Sequence, residues 1–446
     1  MTSALPRLDG GATLCELGVD NLRALRMDEP VELRRLTLLV GRNGIGKSTF
    51  GRVFPLLRQS AGRRKREPLL WWARDEVDFG SFEESFRPGA GEITHTLGFE
   101  VEDGTRWRAS SVIGHGTRGV VGVALDLGDV GRVAIRFADD GHLEAVEVRI
   151  NGDAYDATNA IREINLSADA GELFVLPNDE RPPREENVLD NDVLHRFLSS
   201  IDPAGNPRLD LTLVKALDRL HRTGVLVNEI AERTAYLGPF RAEPQRTYRP
   251  QGVAVDQLDP RGANLAMFLM ALSDEERSDL DQYLRGILDF SVHTEQVGGQ
   301  ISLLVEFDGA RYNLLDVGFG YSQVLPVAVQ LWASSRVLST SRTKSSHAAI
   351  VIEQPELHLH PHQQVLMGRA LGESAASDRG PTQLIETHSD HLVSEIGLMI
   401  ARGQLPQERV GVLCFEPHPD DGVVVNLATF DADGILHNWP AGFLSP

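Results

Sequence analysis

The stretch Gly41-Arg42-Asn43-Gly44-Ile45-Gly46-Lys47-Ser48-Thr49 constrains this chain more than any other. It fits G-x-x-x-x-G-K-[ST] and follows the apolar run Leu36, Leu38, Leu39 and Val40. That run has strand length and stops at the glycine, and helix formers follow. A phosphate-binding loop needs this strand–loop–helix context. The glycines let backbone N–H groups turn inward and cradle phosphate oxygens. Lys47 can then reach the β- and γ-phosphates, and the Ser48 hydroxyl can ligate Mg²⁺. ATP and Mg²⁺ are the expected ligands.

Some 300 residues later, Ala348 to Ile352 form a short apolar, β-branched run of the kind found in buried parallel strands. It ends in Glu353-Gln354-Pro355-Glu356. An acidic residue at such a tip can hold Mg²⁺ through water, so Glu353 joins Ser48 on the metal side. A second run, Thr382 to Ile385, ends in Glu386-Thr387-His388-Ser389. A histidine at a strand tip can hydrogen-bond a γ-phosphate, which marks His388. Before these two strands comes Asp316-Val317-Gly318-Phe319-Gly320-Tyr321-Ser322-Gln323. This reads as a glycine loop opening a helix, with Ser322 as N-cap and free N–H groups facing an anion.

At 446 residues the chain has room for two or three domains. No apolar run approaches the roughly 18 residues of a membrane span, so no membrane partner is expected. The N-terminal MTSALPRLDGG lacks a basic region followed by an apolar core, and no signal peptide is expected. Cys15 and Cys414 are the two cysteines. Both sit in apolar strand-like contexts and read as small packed hydrophobes in a reducing cytoplasm. With 64 acidic and 44 basic side chains the formal charge is −20, which argues against a surface basic all over. A local strip such as Arg58, Arg63, Arg64, Lys65 and Arg66 keeps nucleic acid open as a partner.

Strands are expected at Ala12 to Val19 and Leu33 to Val40, and a helix after the phosphate loop, kinked by Pro55. From Glu92 to Asp156 short β-rich runs alternate with Gly/Asp turns, as in an antiparallel sheet. The Pro-rich stretch 177–187 reads as a loop, and 188–235 and 263–288 read as helical. Ser302 to Phe307 and Tyr312 to Leu315 read as a hairpin. The expected organisation is a split head (1–90 and 300–430), an antiparallel β region (91–156), a helical insertion (157–299) and a small C-terminal element (431–446).

The order of phosphate loop, inserted region, glycine loop, acidic strand tip and histidine strand resembles the ATP-binding-cassette ATPase heads. The OLD-like and RecF/SMC-like branch is the nearer match. IEQPELHLHP (352–361), DVGFGYSQVLP (316–326) and ETHSDHL (386–392) resemble a bacterial group of AAA-type ATPases. LGPFRAEPQRTY (237–248) and DADGILHNWPAGF (431–443) are similar to further segments of that group, the latter to its small C-terminal domain. The resemblance implies an α/β P-loop head, a mixed sheet flanked by helices, with an inserted β-rich and helical region. It implies that Glu353 takes the magnesium-side acidic position and His388 the γ-phosphate switch. Gly320, Ser322 and Gln323 would touch ATP bound by a partner subunit, and Asp78 to Phe82 would lie near the loop linking nucleotide to insertion. Gln354 stands where transporter-type cassettes carry the catalytic glutamate. An amide can orient water but cannot act as a base, so slow hydrolysis is expected. A homodimer or larger homo-oligomer is implied, working with a separately encoded nuclease or toxin in phage defence or DNA maintenance. A DNA-binding repair ATPase and a non-hydrolysing sensor are the alternatives.

Other candidates are weaker. His358, His360 and His362 alternate and could chelate metal or contact a subunit. Glu356 reads as a water-positioning or interface carboxylate. Arg241 and Arg246 could meet phosphate or form ordinary salt bridges. His418, Asp420 and Asp421 read as a turn. No nuclease domain is expected after the ATPase motifs.

Overall fold

The computed structural model describes residues 8, 11–61, 67–74, 76–138, 142–158, 207–250, 255, 257–338, 347–378, 380–418 and 422–439, with the side chains of 207–210 left aside. Arg63 to Arg66, the expected loop at 177–187, the part of the expected helical stretch at 188–206, Asp420, Asp421 and residues 440–446 lie outside the described residues.

In chain order, β1 (Ala12–Asp20), β2 (Val31–Glu32) and β3 (Leu36–Gly41) lead to α1 (Lys47–Gly51) and α2 (Val53–Ser60). A run of strands follows: β4 (Glu92–Val101), β5 (Arg106–Gly114), β6 (Gly119–Asp126), β7 (Arg132–Phe137), β8 (Leu143–Ile150) and β9 (Asp153–Asp156). Next come α3 (Pro207–Glu232), β10 (Thr234–Leu237), α4 (Leu265–Ala271) and α5 (Asp274–Leu288). A meander of β11 (Ser291–Val297), β12 (Gln300–Phe307) and β13 (Ala310–Asn313) precedes α6 (Phe319–Ser334). The remainder is β14 (Ala349–Glu353), α7 (Pro361–Ala376), β15 (Thr382–Glu386), α8 (Asp390–Ala401), β16 (Val410–Pro417), β17 (Val423–Phe430) and β18 (Leu436–His437).

The central sheet has the order β10-β14-β15-β3-β16-β17-β18. Its first five strands are parallel, and β17 and β18 are antiparallel additions. Helices cover the parallel part on both faces, so its strands read as continuous apolar runs. Leu39, Val351, Leu384 and Leu413 face one core; Leu38, Ile350, Ile385 and Val412 face the other. A second sheet, β2-β1-β4-β5-β6-β7-β8-β9, packs over α2 and α3. Trp107 anchors it to α3: its indole N–H donates to Thr223 at 3.1 Å, and Arg219 lies 4.6 Å over the ring. The expected α/β class with a mixed, helix-flanked sheet is what the chain forms.

Three details differ from expectation or refine it. β1 and β2 belong to the antiparallel sheet, so that sheet begins before the phosphate loop. Thr234–Leu237, expected as the end of a helix, is the edge strand of the central sheet. Its four residues are all buried, and Thr and Tyr favour a strand once a parallel neighbour is available. The expected kink is a break at Arg52 that separates α1 from α2. Pro55 thereby sits in the first turn of α2, where its missing N–H costs no hydrogen bond.

Candidate functional site at the strand tips

The carboxyl ends of β3, β15 and β14 lie side by side, where open parallel sheets place ligands. β3 delivers the phosphate loop. Gly41 has φ 147° and Gly46 φ 111°, both in the left-handed half of the map. A Cβ on Gly41 would stand 2.7 Å from the Phe415 carbonyl oxygen, and one on Gly46 2.8 Å from Leu25. Only glycine fits these two positions. Arg42, Asn43 and Gly44 are exposed at the loop crest, Ile45 is half-buried beneath it, and Ser48 and Thr49 are half-buried in α1. Lys47 is buried, and its ammonium donates to the carbonyls of Gly41 at 3.0 Å and Arg42 at 2.9 Å. Burial pushes its pKa below the ordinary lysine value, while Glu386 works against the shift.

Two carboxylates stand in register at the tips of β14 and β15, Glu353 beside Glu386. Glu353 is 3% exposed and fully engaged. Arg52 Nε and Nη2 each donate to it at 2.6 Å, and the Tyr236 hydroxyl donates at 2.8 Å. Burial pulls the Arg52 pKa down, but the bonds to Glu353 outweigh it and leave the guanidinium more firmly charged than usual. Glu386 instead faces the phosphate loop: it accepts from the Ser48 hydroxyl at 2.5 Å and lies 3.7 Å from the Lys47 ammonium. Burial raises its pKa, the Ser48 bond opposes this, and Glu353 adds to it. The carboxylate touching Ser48 is thus Glu386, while Glu353, expected on the magnesium side, bonds Arg52 and Tyr236.

Beyond the tips, Gln354 has φ 45°, a strained conformation for a residue with a side chain. Its N–H donates to the Glu386 carbonyl at 2.8 Å, and its carbonyl accepts from Arg241 at 3.1 Å. Glu356 accepts from the His388 backbone N–H at 2.7 Å, which ties the two strand exits together. Burial raises the Glu356 pKa, while burial and then the Lys47 charge lower that of His388. Arg241 is 6% exposed, yet its Nε and Nη2 have no hydrogen-bond partner among the described residues, and burial lowers its pKa to about 10. A buried guanidinium with spare donors suits an anion. Arg246 forms an exposed pair with Asp316.

The glycine loop differs from the expected cap. Gly318 is the N-cap of α6, and Ser322 lies inside the helix, 4% exposed, donating to the Phe319 carbonyl at 2.7 Å. The extended conformation of Gly318 starts the helix four residues early. Gln323 is buried as well. Gly320 and Phe319 form the accessible start: Gly320 packs against Gln363, and the Phe319 ring meets His358 edge-on at 5.3 Å. His360 accepts from the His362 N–H in the cap of α7. No group of three His, Cys, Asp or Glu able to hold a metal occurs among the described residues. Asp78 and Phe79 lie against Arg23, whose guanidinium donates to the Asp78 carbonyl and sits 5.1 Å over the Phe79 ring. The His418 N–H donates to the Gly422 carbonyl.

Ser48 and Glu386 supply hard oxygen donors beside a phosphate cradle, the donor set Mg²⁺ takes, so the site fits a magnesium nucleotide. The family described as "AAA domain, putative AbiEii toxin, Type IV TA system" matches residues 36–394, from the first residue of β3 into α8. The chain belongs to this AAA domain family. It is a P-loop domain of AAA type. No curated protein matches it. Among the solved structures similar to it at low level are three SMC heads. An SMC head bound to the C-winged helix domain of ScpA has TM-score 0.39 and 11% identity, covering 94% of this chain and 98% of that one. The SMC head domain from Thermotoga maritima has TM-score 0.38 and 10% identity, covering 93% and 99%. An SMC head with an extended coiled coil, bound to the C-terminal domain of ScpA derived from Pyrococcus furiosus, has TM-score 0.37 and 10% identity, covering 93% and 96%. No helix among the described residues is long and apolar enough to cross a membrane.

Arg52, Tyr236 and Glu386 are the site residues that sequence reasoning missed. Glu386 stood in the ETHS run read for its histidine, and Arg52 lies five residues after Lys47, at the break between α1 and α2.

Proposed function

We propose that the chain binds ATP with Mg²⁺, dimerises around it, hydrolyses it slowly and thereby controls a separately encoded effector in phage defence or DNA maintenance. The observation that carries the nucleotide part is the meeting of Lys47, Ser48, Glu386 and Glu356-bound His388 at three adjacent strand tips. Lys47 would turn from the carbonyls of its own loop to the phosphates, and Ser48 and a carboxylate would hold Mg²⁺, which would supply charge neutralisation on the phosphate oxygens. His388 and Arg241 would offer further donors to the phosphates. Gln354 orients the attacking water without accepting its proton.

Dimerisation is supported by the apolar surface around the glycine loop. Phe319, Tyr312 and Leu315 are 49%, 45% and 42% exposed, on and beside the start of α6. Exposed aromatic patches of this kind mark interfaces. Sedimentation with and without Mg-ATP tests the reading: association on adding Mg-ATP supports it, and an unchanged state rejects the shared site. Co-purification of a neighbouring nuclease or toxin tests the effector.

A second reading, a nucleotide-gated sensor that does not turn over, is favoured by the amide at position 354. Single-turnover assays that show bound ATP intact after hours, with the effector present, select it.

A further inference from the structure

We propose that Glu386, at the tip of the strand next to the phosphate loop, is the carboxylate that faces the Mg²⁺ of a bound nucleotide, and that Glu353 is a positioning residue locked to Arg52 and Tyr236. This rests on the ATP-binding reading and narrows it to one side chain.

The strand order explains why. β15 lies between β14 and β3, so the side chain at its tip reaches the loop before that of Glu353 does. Glu386 Oε2 holds the Ser48 hydroxyl at 2.5 Å, and Oε1 stands 3.7 Å from Lys47. Both partners are groups that a nucleotide recruits: the hydroxyl goes to the metal and the ammonium to the phosphates. As they turn to the ligand, Glu386 is left buried beside the loop with its charge uncompensated. A hard divalent cation at Ser48 replaces the lost countercharge, since Mg²⁺ prefers carboxylate and hydroxyl oxygens.

Glu353 is poorly placed for that work. Its Oε1 accepts from both Arg52 Nε and Tyr236, and its Oε2 accepts from Arg52 Nη2. Direct metal binding there would break a bidentate, charge-assisted pair at a side chain 3% exposed. Its charge serves to hold Arg52, which in turn fixes the break between α1 and α2 behind Lys47.

The experiment is equilibrium binding of a fluorescent ATP analogue to the full chain, with Mg²⁺ and with EDTA, for wild type, Glu386→Gln and Glu353→Gln. Wild type binds more tightly with Mg²⁺. Glu386→Gln loses that gain by about tenfold or more. Its binding in EDTA is equal to or tighter than that of wild type, because a carboxylate competing for Lys47 is gone. Glu353→Gln keeps the Mg²⁺ gain and melts at lower temperature. Should Glu386→Gln fail to fold, Glu386→Asp withdraws the same charge by one methylene and is read in the same way, with a smaller loss. A full Mg²⁺ gain in the Glu386 variant, or its loss in Glu353→Gln alone, overturns the assignment. An equal tightening of Glu386→Gln with and without Mg²⁺ also overturns it, since the carboxylate would then only occupy the loop at rest. Wild type that binds no analogue under either condition overturns the ATP-binding reading itself, and this assignment with it.

Discussion

Replacing Arg52 by methionine should destabilise the protein by about 3 kcal/mol. The substitution removes two donors at 2.6 Å and leaves the Glu353 carboxylate, 3% exposed, with the Tyr236 hydroxyl as its donor among the described residues. Breaking a buried pair from one side costs about 3–5 kcal/mol. The lower end applies because the Arg52 side chain is itself 25% exposed, so water can enter where it was. Glu353→Gln should cost less, about 1–2 kcal/mol, since the amide still accepts from Tyr236 and the freed guanidinium can turn to solvent. The double variant carries no stranded charge, so its loss should fall below the sum of the two, with a coupling of about 2 kcal/mol. Urea unfolding followed by tryptophan fluorescence, without nucleotide, measures all four proteins. An Arg52→Met loss under about 1 kcal/mol, or two losses that simply add, would refute the lock and free Glu353 for the metal.

Phe319→Arg should abolish Mg-ATP-driven association in sedimentation while leaving the monomer's ATP affinity within about twofold, because Phe319 is exposed at the start of α6, outside the phosphate loop of its own chain. Gln354→Glu should raise single-turnover hydrolysis by about tenfold or more, and Glu356→Gln should leave the wild-type rate low but measurable; a fast wild type silenced by Glu356→Gln would make Glu356 the base. His95, whose Nε2 is buried without a partner among the described residues, is held by burial at about 4. The neutral ring is therefore the folded form: its contribution is complete above about pH 6.5 and is lost as pH falls toward 4, by about 3 kcal/mol. His95→Leu should flatten that part of the acid unfolding curve, and an unchanged curve would place the acid sensitivity elsewhere.

The phosphate loop, the two strands behind Glu353 and Glu386, and the antiparallel region were legible because each is a local pattern with its own punctuation. What stayed hidden depends on which strands become neighbours. Glu386 reaches Ser48 only because β15 inserts between β14 and β3, and nothing in the run ETHS states that order. Tyr236 bonds Glu353 only because β10 docks on the far side of β14, and the preceding helical periodicity made that short strand read as helix. Ser322 was misplaced for a local reason: serine is the commoner cap, but the extended backbone at Gly318 lets the helix begin earlier.

Titrating Mg-ATP into wild type and Lys47→Ala by calorimetry tests the central claim most directly. Among the described residues the lysine bonds only the carbonyls of Gly41 and Arg42 and approaches Glu386, so its loss should leave the thermal transition nearly in place. Saturable binding of one nucleotide per chain in wild type, absent in a folded Lys47→Ala protein, is the result expected of a phosphate loop at these strand tips. Equal affinity in both proteins, or no binding in either, would contradict it.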